Sequence, residues 1–449
     1  MAIIRTVRLG MLHVAVAITF VLINGVLNRV MIHDLGILAT VVAVLVVLPY
    51  LLSPLQVWVG QHSDTHPIGG YRRTPYIALG LLLCIGGAAL TPHVALLMAR
   101  SSVPGVLLGL LAFGAWGIGY NLAVVGYLSL ASDLSEERYR SRTIAIMWFM
   151  MIVSIIVTAI VTGRALAQYT PELLVRVFNW AALIALGIGA LGLAGLEPKM
   201  PRRERAATDA LEPSAGGDPS HAQSRVSQRA ALRVVLSNPQ ARSFFLYLIL
   251  LLAAILGQDI LLEPYGAQQF GMTVQQTTQL TATWGGATLI ALLLQGLLLS
   301  RWLSKKAGAL LGALIATAGL LLIAASGIAD AQALFVPGVF ALGFGTGIAT
   351  STNLGLMLDM TTPEQVGLFI GAWGVADALA RGVGMLLGGV VRDIVTAASG
   401  SASSGYISVF LIEAIMLAAS LLLLRRVNVR AFRSTQPTLT ELVALAGDA

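Results

Sequence analysis

The sequence of 449 residues has little charge, a single cysteine and none of the short patterns that mark an enzyme. Charged side chains make up 11% of it, where a soluble domain carries roughly 25%. That is too few to coat a globule of this length, and a soluble protein is excluded. Cys84 lies inside an apolar run, so one chain can build neither a disulfide framework nor a thiolate metal cluster. No Ser-His-Asp order, metalloprotease signature or nucleotide fingerprint appears, and no histidine pair has zinc spacing. The sequence therefore reads as non-enzymatic. Basic residues outnumber acidic ones, 28 to 21, but they sit in short segments between apolar runs rather than on one solvated face, which excludes nucleic acid as partner. What is abundant is apolar: 57% of the residues and a mean hydropathy of +0.84 describe an integral membrane protein whose solvent is the lipid bilayer.

Crossing about 30 Å of hydrocarbon takes roughly 20 apolar residues. Runs of that length predict an all-α protein with twelve spans, near 9–30, 36–58, 75–98, 103–131, 143–163, 177–197, 241–262, 281–300, 307–328, 332–358, 366–391 and 403–424. The first run is too long for a signal peptide and lacks a small-x-small cleavage site, so it is expected to be retained. One long polar stretch with Pro201, Pro213, Gly216, Gly217 and Pro219 follows the sixth span and reads as a flexible linker; a helical piece at 228–236 suits the membrane surface. The expected domains are an N-terminal six-helix bundle (1–198), a linker (199–240), a C-terminal six-helix bundle (241–425) and a tail (426–449). Of the 28 basic residues, 22 fall on the side of the N-terminus, which by the positive-inside rule makes both termini and the linker cytoplasmic.

The halves echo each other. Asp133, Trp148 and Gly163 recur as Asp359, Trp373 and Gly389 at offsets of 225 to 226. The clusters Gly114, Gly117, Gly119 and Gly343, Gly345, Gly347 fall at nearly the same offset. Two six-helix pseudo-repeats joined by a linker resemble the major facilitator superfamily, whose halves rock about a midplane cavity. Lying in apolar helices with no following Lys-Ser/Thr, the glycine clusters and the Gly384/Gly388 pair read as close-packing surfaces rather than phosphate loops.

The loop after span 2 runs from Gly60 through Asp64 and Gly70 to Arg72, Arg73 and Pro75. It resembles a stretched form of the superfamily's cytoplasmic signature, an acid followed by glycine and paired bases. As a gate, Asp64 would meet a helix N-terminus or a base, and Arg72 and Arg73 a carboxylate; as a plain turn, it holds positive-inside arginines. The matching loop of the second half, Arg301 to Lys306, has lost the acid and most of the spacing.

Charge inside a span is costly and therefore informative. Asp377 and Arg381, four apart on span 11, form either a self-satisfied pair or a switching pair in a translocation path. Glu413 in span 12 has no evident sequence partner; it either pairs with Arg381 or is protonated. Gln258, Asp259 and Glu263 close span 7 before Pro264, expected to end or kink the helix there; two like charges on one face suit a proton or cation site. Asn24 and Asn121 read as amides that hold helices together or face a cavity. His13 is the one histidine well inside a span, a helix-to-helix hydrogen bond or a magnesium ligand for a pigment.

Several stretches together resemble a narrower family: Asn24-Gly-Val-Leu-Asn28-Arg29-Val-Met-Ile32, Gly70-Tyr-Arg-Arg73-Thr-Pro75-Tyr76, Asp259-Ile-Leu-Leu-Glu263-Pro-Tyr265-Gly266, and Gly367-Leu-Phe-Ile-Gly371-Ala-Trp373-Gly374 with Arg381. They look like the PucC/LhaA, or bacteriochlorophyll-delivery, family of phototrophic bacteria. The likeness runs from about residue 9 to 425. It implies an assembly factor of the bacterial inner or photosynthetic membrane, with bacteriochlorophyll as bound cargo and light-harvesting antenna or reaction-centre polypeptides as partners. It also groups Asn28, Arg29, Asp259, Glu263 and Tyr265 as one polar cluster, with Arg29 expected to compensate a carboxylate. The competing expectation is a proton-coupled carrier of a small solute, using Asp259, Glu263 or Asp377.

Overall fold

The computed structural model describes residues 2–136, 139–199, 239–360 and 366–427. The expected linker between Lys199 and Pro239, its surface helix at 228–236 and the tail beyond Val427 lie outside the described residues. Among the described residues there is no strand, only an isolated bridge between Ile68 and Tyr71.

The chain begins with α1 (Ala2–Phe20), which continues through two π-helical stretches, Val21–Leu27 and Val30–Asp34. Three short helices follow, α2 (Ala39–Val46), α3 (Leu48–Leu51) and α4 (Leu55–Thr65). Then come the long helices α5 (Thr74–Arg100), α6 (Ser102–Leu134), α7 (Arg140–Ala165) and α8 (Pro171–Leu193). After the linker, α9 (Pro239–Leu256) passes through a 3-10 turn, Gly257–Ile260, into the short α10 (Leu262–Phe270). The remainder is α11 (Val274–Leu294), a π turn at Gln295–Leu299, α12 (Ser300–Trp302), α13 (Lys305–Ile328), α14 (Gln332–Asp359), α15 (Val366–Ser399) and α16 (Ala402–Arg426). Among the described residues, 11 helices are long and apolar enough to cross a membrane. The chain is a multi-pass membrane protein.

Two details differ from the expected spans. The second, read as one run over 36–58, is broken into α2, α3 and α4. Pro49 and Pro54 each remove an amide donor and clash with the preceding turn, so each opens a new helix rather than continuing the old one. The break in span 7 falls at the 3-10 turn beginning at Gly257, not at Pro264. Proline is tolerated where it sits, in the first turn of α10, because an amide there has no intrahelical acceptor.

Contacts divide the described residues into two compact units. One takes in those of Met1–Glu212, Asp259–Gly285 and Met385–Tyr406; the other takes in those of Pro213–Gln258, Gly286–Gly384 and Ile407–Ala449. Each is tightened by one helix pair whose backbones nearly touch. In the first unit, a Cβ on Gly119 of α6 would stand 2.1 Å from the Cys84 nitrogen on α5; in the second, a Cβ on Gly345 of α14 would stand 2.4 Å from the Ala316 nitrogen on α13. Both glycines act as packing surfaces at matching places in the repeat, whereas Gly114 has open space beside it.

Candidate functional site

The first unit holds a polar cluster that begins with the π-helical part of α1. A π turn misaligns the backbone ladder and is frequent at functional sites. Here Thr278 of α11 donates to the Gly25 carbonyl at 3.3 Å. One turn on, Asn28 is fully buried, and Glu263 in the first turn of α10 is 4% exposed. Thr281 Oγ1 donates to Glu263 Oε1 at 2.7 Å, and Asn28 Nδ2 donates to Oε2 at 3.4 Å. Asn28 Nδ2 also reaches the Asp259 carbonyl at 3.4 Å. Among the described residues no cation pairs with Glu263.

Burial therefore dominates its acidity. The Glu263 carboxyl lies on α10, between the spans Pro239–Ile260 and Val274–Trp302. It is pushed up from 4.5 to about 7 by loss of water; Thr281, its own backbone amide and Asn28 hold it down, while the Asp259 charge pushes it further up. Such a group exchanges a proton near neutral pH.

Arg29 does not compensate this carboxylate. Its guanidinium pairs instead with Asp34, five residues on, and donates from Nη2 to the Met272 carbonyl at 3.3 Å. The reason is local: the second π stretch carries Asp34 back toward Arg29, a closer partner than α10 offers. Tyr265 is fully buried, its ring 5.6 Å from Phe270 and 5.5 Å from Tyr406. Nearby, Arg392 bonds Asp393 and Gln268, both at 2.9 Å, and lies over the Tyr406 ring. Asp393 in turn accepts from the amides of Ala39 and Thr40 at 3.2 and 2.8 Å, capping α2. Sequence reasoning missed Thr281, Arg392 and Asp393, and did not pair Asp34 with Arg29.

A second constellation surrounds the loop after α4. Arg73 is buried, its Nη1 2.6 Å from Ser63 Oγ and 3.5 Å from the Gly60 carbonyl, its Nε 3.4 Å from Asp133 Oδ2. Gly70 turns the chain at φ +88°. The start of α5 is met by Glu197, which accepts from the amides of Arg72, Arg73 and Thr74 at 2.8, 3.1 and 2.7 Å. A carboxylate there satisfies orphan donors and complements the dipole of α5. The Asp64 side chain lies outside the described residues. In the second unit Lys305 Nζ meets Asp359 Oδ1 at 2.7 Å. Since Asp133 and Asp359 are repeat partners, the base-to-acid contact recurs in both halves although the loop sequence has diverged.

The remaining candidates are dispersed. Asp377 and Arg381 pair within α15 at 3.1 Å, both partly exposed. Glu413 is buried against the 3-10 turn that follows α9: a Cβ on Gly257 would stand 2.7 Å from its Oε1. Asn24 donates to the Phe20 carbonyl at 3.1 Å within α1. Asn121 holds the broken second span, donating to the Pro49 carbonyl at 2.9 Å and accepting from Gln56 at 2.5 Å. His13 is walled in by Tyr127 and Trp148, ring centroids 5.1 and 5.7 Å away, and its Nδ1 is fully covered. Among the described residues no group of three or more His, Cys, Asp or Glu could hold a metal ion.

Comparison with known proteins places this geometry. A solved structure of a bacterial homolog of the human lysosomal transporter Spinster matches with a TM-score of 0.70 at 13% identity, over 97% of this chain and 99% of that one; the fold is that of major facilitator transporters. "Protein PucC" of Rhodovulum sulfidophilum is 33% identical, covering 87% of this chain and 85% of the relative. The "Bacteriochlorophyll synthase 44.5 kDa chain" of Rhodobacter capsulatus is 30% identical, covering 86% and 87%. With the PUCC protein family model matching residues 26–432, which takes in the Asn28, Glu263 and Arg73 constellations, the chain belongs to the PucC family.

Proposed function

We propose that this chain is a non-enzymatic assembly factor of the inner or photosynthetic membrane of a phototrophic bacterium, with both termini cytoplasmic, and that it binds bacteriochlorophyll and delivers it to light-harvesting antenna polypeptides. Family membership over most of the chain carries this reading, and a relative named as a bacteriochlorophyll synthase chain supports the pigment. The two six-helix halves, 1–198 and 241–425, would move about the cargo as major facilitator halves do. Glu263 would supply a proton-sensitive contact on α10, and Arg73 with Asp133 and Glu197 would fasten the cytoplasmic end. Complementing a deletion strain tests this: the wild-type gene is expected to restore antenna absorbance and Glu263→Ala to restore less. Normal antenna in the deletion strain would refute it.

One observation favours a second reading. A buried carboxyl titrating near neutrality is also what a proton-coupled carrier of a small solute needs. Proton-driven solute uptake into vesicles that hold the purified protein would support it.

A further inference from the structure

Helix α8 packs onto its own unit through one stripe, Leu174, Phe178, Ala185, Gly189 and Gly192. Another face carries Glu172, Arg176, Asn179 and Leu183 at steps of three and four, all of them exposed. A shallow groove of about 320 Å³ opens among these four, completed by Val175 and Trp180. Glu172 and Arg176 have the acid-first spacing that lets side chains pair along a helix, yet they stay apart. Among the described residues, neither of them nor Asn179 makes a side-chain hydrogen bond or ion pair. The groove thus offers a carboxylate that can only accept, a guanidinium that can only donate, and an amide.

Their depth can be read from the sequence below them. From Trp180 to Leu196 every residue is apolar or glycine, a run of about 25 Å at helical rise, which covers most of the hydrocarbon thickness. Trp180 is 63% exposed, and tryptophan settles at the boundary between hydrocarbon and headgroups. Asn179 therefore lies at that boundary. Arg176 stands about 4.5 Å further out and Glu172 about 6 Å beyond Arg176.

We propose that this groove binds one phospholipid whose headgroup carries a primary amine, of the phosphatidylethanolamine class, in the leaflet at the Pro171 end of α8. Such a lipid presents its polar groups in the same order: ester carbonyls at the boundary, phosphate above them, ammonium outermost. Asn179 donates to an ester carbonyl, Arg176 to the phosphate and the ammonium donates to Glu172, while an acyl chain runs down past Leu183. The order of charge selects this lipid over others. Phosphatidylglycerol brings no cation to Glu172, and the quaternary ammonium of phosphatidylcholine has no N–H to donate.

Quenching of Trp180 by phospholipids with brominated acyl chains tests this on the full-length protein in nanodiscs, with the Trp180 signal taken as the difference from Trp180→Phe. At equal mole fraction, brominated phosphatidylethanolamine is expected to occupy the groove about 2- to 5-fold more than brominated phosphatidylcholine or phosphatidylglycerol, the scale of one exposed charge contact. Glu172→Gln should abolish the preference over phosphatidylcholine. The double variant Glu172→Arg with Arg176→Glu keeps the net charge but inverts its order, and should lose the preference as well. Equal quenching by the three lipids, strongest quenching by phosphatidylglycerol, or a preference that survives the inversion would overturn the proposal. So would a Trp180 that no lipid quenches in native membranes because another polypeptide covers it.

Discussion

Replacing Glu263 by Gln keeps the shape of the side chain and an oxygen to accept from Thr281, while removing the ionisable proton. The wild-type carboxyl titrates near 7 when folded, against an ordinary 4.5, a difference of about 3 kcal/mol between its two protonation states. Below pH 4.5 the group is protonated folded and unfolded alike, and its burial carries no ionisation penalty. As pH rises toward 7 the unfolded chain ionises before the folded one, so stability falls across this window; above it both forms are charged and the full loss of about 3 kcal/mol is present. Wild type and Glu263→Gln should therefore melt close together near pH 4 in nanodiscs and separate by pH 8, with the wild type lower. The facing groups leave this sign intact: Asn28 and Thr281 are neutral, the Asp259 charge strengthens the effect, and Arg29 is engaged by Asp34. Melting curves that stay parallel from pH 4 to pH 8 would refute a buried, uncompensated carboxyl at this position.

Other perturbations follow from the same contacts. Glu197→Ala strips three amides at the start of α5 of their acceptor and should cost about 1–2 kcal/mol in thermal unfolding, with Glu197→Gln recovering part of it. Arg73→Ala should destabilise more than Asp133→Ala, because Arg73 is buried while the Asp133 side chain is 52% exposed; the coupling between them in a double-mutant cycle should stay below about 1 kcal/mol. Asn121→Leu leaves the Pro49 carbonyl without its donor and should cost about 1–3 kcal/mol, read as a lower melting midpoint. Gly119→Val and Gly345→Val each drive a side chain into facing backbone, and both should abolish folded protein in detergent extracts.

Much of the architecture is legible in the residues alone, because hydrocarbon admits few solutions: apolar runs must be helices, and their lengths are set by the bilayer. The broken second span is harder to see, since Pro49 and Pro54 occur inside an otherwise continuous apolar run, and only Asn121 and Gln56 on the structure show how the break is held. The polar residues of the Glu263 cluster could be named in advance but not paired. Arg29 finds Asp34 because a π stretch changes the local register, which composition does not reveal. Thr281 looks like any helix-facing threonine until α11 brings it against α10. Glu197 is the plainest case: at the end of span 6 it resembles an ordinary rim charge, and its role depends on a tertiary meeting with α5, more than a hundred residues earlier in the chain.

Pigment delivery is tested most directly by purifying the full-length protein from its phototrophic host in a mild detergent and recording its absorption spectrum and polypeptide content. Bacteriochlorophyll and antenna polypeptides are expected to elute with the wild type, with less pigment on Glu263→Ala. A colourless protein free of antenna chains, active in proton-driven solute uptake, would contradict delivery and establish a solute carrier in its place.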